Sequence, residues 1–237
     1  MPNKIDDAVL YDKYYFQEHY QRDPLRDKMY QQEFQRIMEC RPPEFPAGRI
    51  LDVGCGVGNF LDLFYHRDWK CYGVEPSDYA RAQCARKGFM TYRDFNAFTS
   101  ESMDIVVFRG TLQHIAYPMD ALAQATRVLR KGGMLVILAT PNTDSLVYQI
   151  WKTLPALEPQ RNWVLWGESG LVNVLKRLGF FIIRREHPYL GTPYAHPVRD
   201  TLKFITSLVL GYRKFAFWGS MMELYALKED RPGFIPE

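Results

Sequence analysis

The sequence predicts an α/β fold in which a mainly parallel sheet is covered on both faces by helices. Three observations lead there. Short apolar runs alternate with stretches of helical period from residue 49 onward, a glycine-rich turn joins the first run to the next stretch, and the runs are too continuously apolar to leave one face in water. A chain of 237 residues with 47% hydrophobic, 15% aromatic and 24% charged residues has the material for one such domain, and its composition excludes wholesale disorder.

The elements follow in order. Residues 11–20 (YDKYYFQEHY) are aromatic and polar without a clean period, which suits a segment lying over something. Asp23 and Pro24 start a helix as cap and first residue, with Leu25, Met29, Phe34, Ile37 and Met38 at helical spacing. Pro42, Pro43 and Pro46 end it. Residues 49–53 (RILDV) form a buried strand that runs into Gly54-Cys55-Gly56-Val57-Gly58, and residues 60–64 begin a helix. The alternation repeats as a strand over 70–75, a Ser77-capped helix over 77–87, and strands over 89–92 and 103–108. A helix over about 119–129 is then stopped by Lys131-Gly132-Gly133, and a strand occupies 134–139. An irregular Trp- and Pro-rich stretch precedes a helix over about 168–178, which Gly179 caps. Strands over 180–184 and 222–227 close the series, and a connection of that length between them inside a compact fold is usually functional.

Charge and cysteines bound the function classes. A formal net charge of +3 is far from the clustered excess that holds a protein on duplex nucleic acid by counterion release, so nucleic acid is not an expected partner. Cys40, Cys55, Cys71 and Cys84 form no Cys-x-x-Cys pair, which suits reduced thiols in a cytoplasmic protein and no metal site. No secretory signal opens the sequence, and no run approaches a membrane span.

The glycine turn carries the chemistry. Glycines between a strand and a helix let the chain turn sharply and bring N–H groups against a ligand. Glu75 closes the next strand, 21 residues after Gly54, where a carboxylate can accept both hydroxyls of an adenosine ribose. A dinucleotide site wants G-x-G-x-x-G, but Asn59 stands where the third glycine would be. The spacing here is G-x-G-x-G, which favours S-adenosylmethionine.

On these residues the sequence resembles the class I S-adenosylmethionine-dependent methyltransferases. ILDVGCGVGNF (50–60) looks like their first motif and YGVEP (72–76) like their second, with further likeness at 103–106, 112–115, VLRKGGML (128–135) and Thr140-Pro141-Asn142. The resemblance implies a Rossmann-like sheet of seven strands whose terminal strand, 222–227, is antiparallel. It divides the chain into an N-terminal lid and helix (1–48) and the methyltransferase domain (49–237), with acceptor-side insertions at about 142–167 and 187–220.

The resemblance also implies roles. Gly54, Cys55 and Gly56 would pass the methionine part of the cofactor, Asp52 would orient the turn or reach the amino group through water, and Glu75 would bind the ribose. Pro76 would border the adenine. Asp94 would accept from the adenine amine with Phe95 packed nearby, although Asp94 could instead cap a turn and Cys55 could be plain packing. Arg109 and Gly110 would floor the site beneath the sulfonium. Tyr15, with Tyr14, Phe16 and Tyr20, resembles an opening that folds over the cofactor as a lid.

For proton removal from a hydroxyl, His114 just past the fourth strand is the candidate base, with His187 and His196 as rivals and a backbone-bonded helix-start histidine as the plain alternative. His19 and His66 read as surface residues. Trp151, Trp163, Trp166, Tyr189 and Tyr194 either line an acceptor pocket or pack. Arg109-Gly110-Thr111-Leu112 replaces the Asn-Pro-Pro-Tyr type of segment found in families that methylate base amines, and the chain is similar instead to bacterial small-molecule and sugar O-methyltransferases. The expected acceptor is therefore a small hydroxylated molecule such as a sugar or sugar nucleotide. The alternatives are a quinone or other aromatic, or a non-catalytic cofactor-binding sensor. Residues 201–218 mix aliphatics with Lys203, Arg213 and Lys214, which suits a core or homodimer-contact helix, or a peripheral membrane contact.

Overall fold

The computed structural model describes residues 13–19, 23–42, 47–154, 157–158, 161–211 and 216–229. Tyr11, Tyr20, Pro43, Pro46, residues 212–215 and the side chain of His19 lie outside that description. Two helices, α1 (Lys13–His19) and α2 (Pro24–Cys40), precede the sheet. Then follow β1 (Arg49–Val53), α3 (Asp62–Tyr65), β2 (Lys70–Val74), α4 (Asp78–Arg86), β3 (Met90–Tyr92), β4 (Met103–Arg109), α5 (Pro118–Val128) and β5 (Leu129–Pro141). The chain closes with α6 (Leu146–Trp151), α7 (Glu168–Arg177), β6 (Phe180–Glu186), α8 (Pro197–Leu210) and β7 (Met221–Lys228).

The seven strands form one sheet in the order β3-β2-β1-β4-β5-β7-β6, with β7 antiparallel to both neighbours and the other pairings parallel. This is the Rossmann-like arrangement expected. Alternation along β4 shows why its run is continuously apolar. Ile105 and Val107 pack toward α2, α3 and α4, while Val106 and Phe108 pack toward α5 and α7. Caps expected from the sequence are in place: the Asp23 carboxylate accepts from Leu25 N at 3.0 Å and Ser77 Oγ from Ala80 N at 3.4 Å.

Register sets the site. Val53 lies opposite Val74 on one side and Phe108 on the other, so Gly54, Glu75 and Arg109 all emerge at one edge of the sheet. That edge lies beside β1 and β4, where strand order reverses and open α/β sheets leave a crevice.

Three elements differ from expectation. Helix α3 covers only Asp62–Tyr65, because residues 58–61 are spent on turns leaving the glycine loop. Lys131-Gly132-Gly133 does not precede β5 but lies inside it as a bulge, with Gly132 at φ +68° and the register slipping between Met103 and Ile105. The irregular stretch after Pro141 contains α6, capped by Ser145 Oγ on Tyr148 N at 3.4 Å.

Candidate active site

The glycine turn is held from both neighbouring strands. Gly54 N donates to Val74 O at 2.7 Å, and the Glu75 carboxylate accepts from Gly56 N through Oε2 and from Ser77 N through Oε1, each at 2.9 Å. Glu75 therefore braces the loop and the start of α4 at once, while remaining on the wall of the cavity. Gly54 sits at φ +78°, and a β-carbon there would collide with the Thr111 side chain. A Gly54→Ala variant should lose at least about 1–2 kcal/mol from backbone strain alone, and its melting temperature should recover in part when Thr111→Ala removes the collision.

A cavity of about 560 Å³ opens at this edge, within the usual range for ligand sites. Gly54, Glu75 and Pro76 line one side, Asp94 and Phe95 a second, Arg109, Gly110 and His114 the floor and far wall, and Tyr15 the N-terminal side. Asp52, Cys55 and Gly56 are not on the wall. Asp52 is buried behind it, and Cys55 is a packing residue whose sulfur fills the space a Gly73 side chain would need. The Cys84 contact and burial push the Cys55 thiol well above its ordinary range, and burial pushes Cys71 up to about 12, so neither offers a thiolate. Asp94 takes the turn-capping position, accepting from Asn96 N at 2.8 Å at the head of a short 3-10 turn.

Arg109 is the most constrained charge in the site. Its Nε and Nη2 donate to Glu33 Oε2 and Oε1 at 2.7 and 3.1 Å, and its guanidinium lies 4.1 Å from the centre of the Tyr30 ring. Burial disfavours the charge, but the Glu33 carboxylate overrides that and drives the Arg109 pKa up. A lone cation there would repel a sulfonium; paired with Glu33, the floor is close to neutral. Glu33 comes from α2 and is not among the site residues expected from the sequence. Its only signal is an acid set among Met29, Tyr30, Phe34 and Ile37 on one helical face. A second pair anchors the same helix in the opposite sense: Arg36 Nη2 and Nε donate to Glu223 Oε1 and Oε2 at 2.8 and 2.9 Å, and Tyr225 OH donates to Glu223 Oε2 at 2.6 Å.

His114 ends a 3-10 turn, with Nδ1 3.1 Å from Arg161 O. A carbonyl only accepts, so Nδ1 carries the proton and Nε2 the lone pair, 3.2 Å from Gln113 Nε2. Burial lowers the His114 pKa below 6.5. The rivals are elsewhere: His187 pairs with Glu168, and His196 caps α8, neither on the cavity wall. The aromatics pack. Trp151 meets Phe204 edge-on at 5.4 Å, Tyr189 OH donates to Asp200 at 2.8 Å, and Trp166 rests on the main core; with Trp163 and Tyr194 they stand outside the cavity lining. Tyr15 and Phe16 line the cavity from α1, with Arg161 5.0 Å from the Tyr15 ring, while Tyr14 points to solvent.

These residues fit S-adenosylmethionine. The Asp52 Oδ1 atom is buried with no hydrogen-bond partner in the protein, and burial pushes that carboxyl up to about 7 against the pull of Arg109, leaving an acceptor available to an amino group or a bridging water. Gly54 leaves its backbone open to the cavity, Glu75 offers a carboxylate, and Phe95 an apolar face.

Comparison with known proteins places this arrangement. The model of a family described as a methyltransferase domain matches residues 17–184. The chain is 27% identical over 180 residues to a malonyl-[acyl-carrier protein] O-methyltransferase of Paenibacillus sp. (strain JDR-2), covering 68% of this chain and 64% of that one. It is 33% identical over 98 residues to a ubiquinone biosynthesis O-methyltransferase of Bradyrhizobium sp. (strain ORS 278), covering 38% of each. The chain thus spans less than two thirds of the length of these curated relatives. Its fold is shared with a SAM-dependent methyltransferase from Archaeoglobus fulgidus at TM-score 0.63 and 18% identity, over 92% of this chain and 100% of that one. The fold and the matching family model define a methyltransferase domain. The chain belongs to the methyltransferase-domain family that its residues 17–184 match.

Proposed function

We propose that this protein transfers a methyl group from S-adenosylmethionine to the oxygen of a small hydroxylated acceptor, with His114 taking the proton. The observation that carries this reading is the place of His114 on the wall of the same cavity as Glu75, with its Nδ1 held 3.1 Å from Arg161 O. The O-methyltransferase relatives described above support oxygen as the target atom. In this reading Glu75 accepts from the ribose, Pro76 and Phe95 border the adenine, Asp94 receives its amine, and Asp52 acts behind the glycine turn toward the amino group. Tyr15 and Phe16 close the N-terminal side and exclude water.

When bound, the donor supplies an electrophilic methyl on a sulfonium. The acceptor oxygen would take the methyl as its bond to sulfur breaks in line, with His114 Nε2 placed to receive the hydroxyl proton. An entering hydroxyl displaces the 3.2 Å contact from Gln113, whose amide keeps its bond to Gly110 O at 3.1 Å. The neutral Arg109–Glu33 floor leaves the sulfonium unopposed, and the lowered His114 pKa releases the proton readily afterwards.

The expected pH profile follows. A protonated imidazole cannot accept, so transfer should fall as pH drops through a value below 6.5 and level off above it. His114→Gln should lower kcat by about 10²–10⁴ and remove the acid limb while leaving donor binding intact. An unchanged kcat with an unchanged limb contradicts the base role.

Sugars and sugar nucleotides suit a hydroxylated acceptor. A quinone or other aromatic is the second reading, favoured by the ubiquinone-pathway relative. Incubation with labelled donor and a panel of sugar nucleotides, phenols and quinols separates them. Tight donor binding with transfer to none would favour a cofactor-binding sensor instead.

A further inference from the structure

Of the two insertions expected on the acceptor side, the later one, at about 187–220, stays off the cavity. None of its described residues lines the wall. Helix α8 buries Asp200 and Ser207 and turns Leu202, Ile205, Leu208 and Val209 to solvent, so the core helix expected there is ruled out. The earlier insertion reaches the site through one residue. Trp163 N and Val164 N donate to Gln113 O at 2.8 and 3.4 Å, which lays residues 161–164 along the turn that carries His114. Arg161 then makes contacts in two directions. Its carbonyl accepts from His114 Nδ1 at 3.1 Å. Its guanidinium lies 5.0 Å from the centre of the Tyr15 ring on α1, while Nη1 donates to Glu158 Oε2 at 3.1 Å. Tyr15 in turn meets Phe16 edge-on at 5.2 Å, and Phe16 stacks on Tyr79 of α4 at 6.1 Å. Tyr15, Phe16 and His114 line the cavity, and Arg161 stands behind them.

We propose that Arg161 is a positioning residue that ties the N-terminal wall of the donor cavity to His114. Three segments far apart in sequence meet at it: α1, the turn after β4 and residues 161–164. The carbonyl sets the imidazole, and the guanidinium holds the Tyr15 ring against the cavity. The ion pair alone does not account for the arrangement, because 53% of the Glu158 side chain is exposed and a pair so open to water holds little. The face of the Tyr15 ring adds its own attraction for the cation, and a planar guanidinium stacks on such a face better than an ammonium does. Charge follows the same geometry. Burial lowers the His114 pKa most; of the charges that face the ring, Glu158 raises it and Arg161 lowers it. The importance of this for proton removal rests on the base role proposed above, whereas the hold on Tyr15 does not.

Two readouts that need no acceptor test this on the whole protein. The first is calorimetric binding of S-adenosylhomocysteine to the wild type, Arg161→Ala, Tyr15→Leu and the double variant. Arg161→Ala should weaken binding by about three- to tenfold, and the double variant should bind no worse than Tyr15→Leu alone, since both changes break one contact. The second is an NMR titration of the His114 imidazole, its signal assigned by loss in His114→Gln. The pKa should rise in Arg161→Ala, which leaves Glu158 unopposed, and stay near the wild type in Arg161→Lys, which keeps a cation beside the ring. Wild-type affinity in Arg161→Ala, losses that multiply in the double variant, or an imidazole titration that Arg161→Ala leaves unmoved overturns the proposal. Arg161 has 27% of its side chain exposed, so the variants should fold; if the alanine variant melts early, Arg161→Gln, which keeps much of the volume without the charge, must show the same two changes. A His114→Gln variant that keeps its kcat would remove the base role alone, because neither readout requires His114 to take a proton from substrate.

Discussion

Glu33→Gln is expected to destabilise the protein by about 3–5 kcal/mol, because it keeps the volume of the side chain but leaves the Arg109 guanidinium buried without a counter-charge. Arg109 cannot escape by losing its proton. Glu33 is 1% exposed and reaches Arg109 with both oxygens, and the Arg109 side chain is only 14% exposed, so water replaces the lost charge only in part. At about 2–4 °C per kcal/mol for a chain of this size, the melting temperature should drop by roughly 10 °C. Replacing both partners, Glu33→Gln with Arg109→Met, should cost less than the single change, since no buried charge remains. A single variant that melts with the wild type, or a double variant that is worse, would contradict the pairing. Loss of the pair should also reach function, because α2 is fixed on the sheet by this contact and by Arg36 on Glu223.

Glu75→Ala should weaken binding of S-adenosylmethionine by about a hundredfold or more. On the ribose role proposed for Glu75, two hydrogen bonds to a buried carboxylate are lost together at about 1–3 kcal/mol each, and the midpoint of about 4 kcal/mol exceeds that factor. The same change strips acceptors from Gly56 N and Ser77 N, so the glycine turn loosens as well and some thermal stability goes with it. Calorimetry reads the affinity and a melt reads the turn. Unchanged affinity would remove Glu75 from the donor site, whatever the melt shows.

The part of the molecule legible in its sequence is the part written in local pattern. All seven strands, the Ser77 and Asp23 caps, and the convergence of Gly54, Glu75, Arg109 and His114 on one edge follow from period, spacing and order, because parallel strands of matched register end together. Other features depend on pairs that no spacing reveals. Glu33 and Arg109 are 76 residues apart and meet only once α2 crosses the sheet. The Gly132 bulge looks like a stop in the sequence because glycines break helices and strands alike, and only the ladder to β4 distinguishes the two. The orientation of α8 is hidden for a similar reason: an apolar stripe predicts amphipathicity, and which face turns inward is decided by Tyr189 meeting Asp200. Asp94 caps a turn, one of the two roles open to it in the sequence, and also lines the cavity.

The crevice between the glycine loop and the end of β2 is where the methyl donor must lie for Glu75, Asp52 and Gly110 to act as assigned. A crystal structure of the protein with S-adenosylhomocysteine tests this directly. The ribose is expected within hydrogen-bond distance of Glu75, the sulfur above Gly110, and the amino group on the Asp52 side of the loop. Density for the nucleoside anywhere else, or a crevice that stays closed to it at saturating ligand, would contradict the assignment.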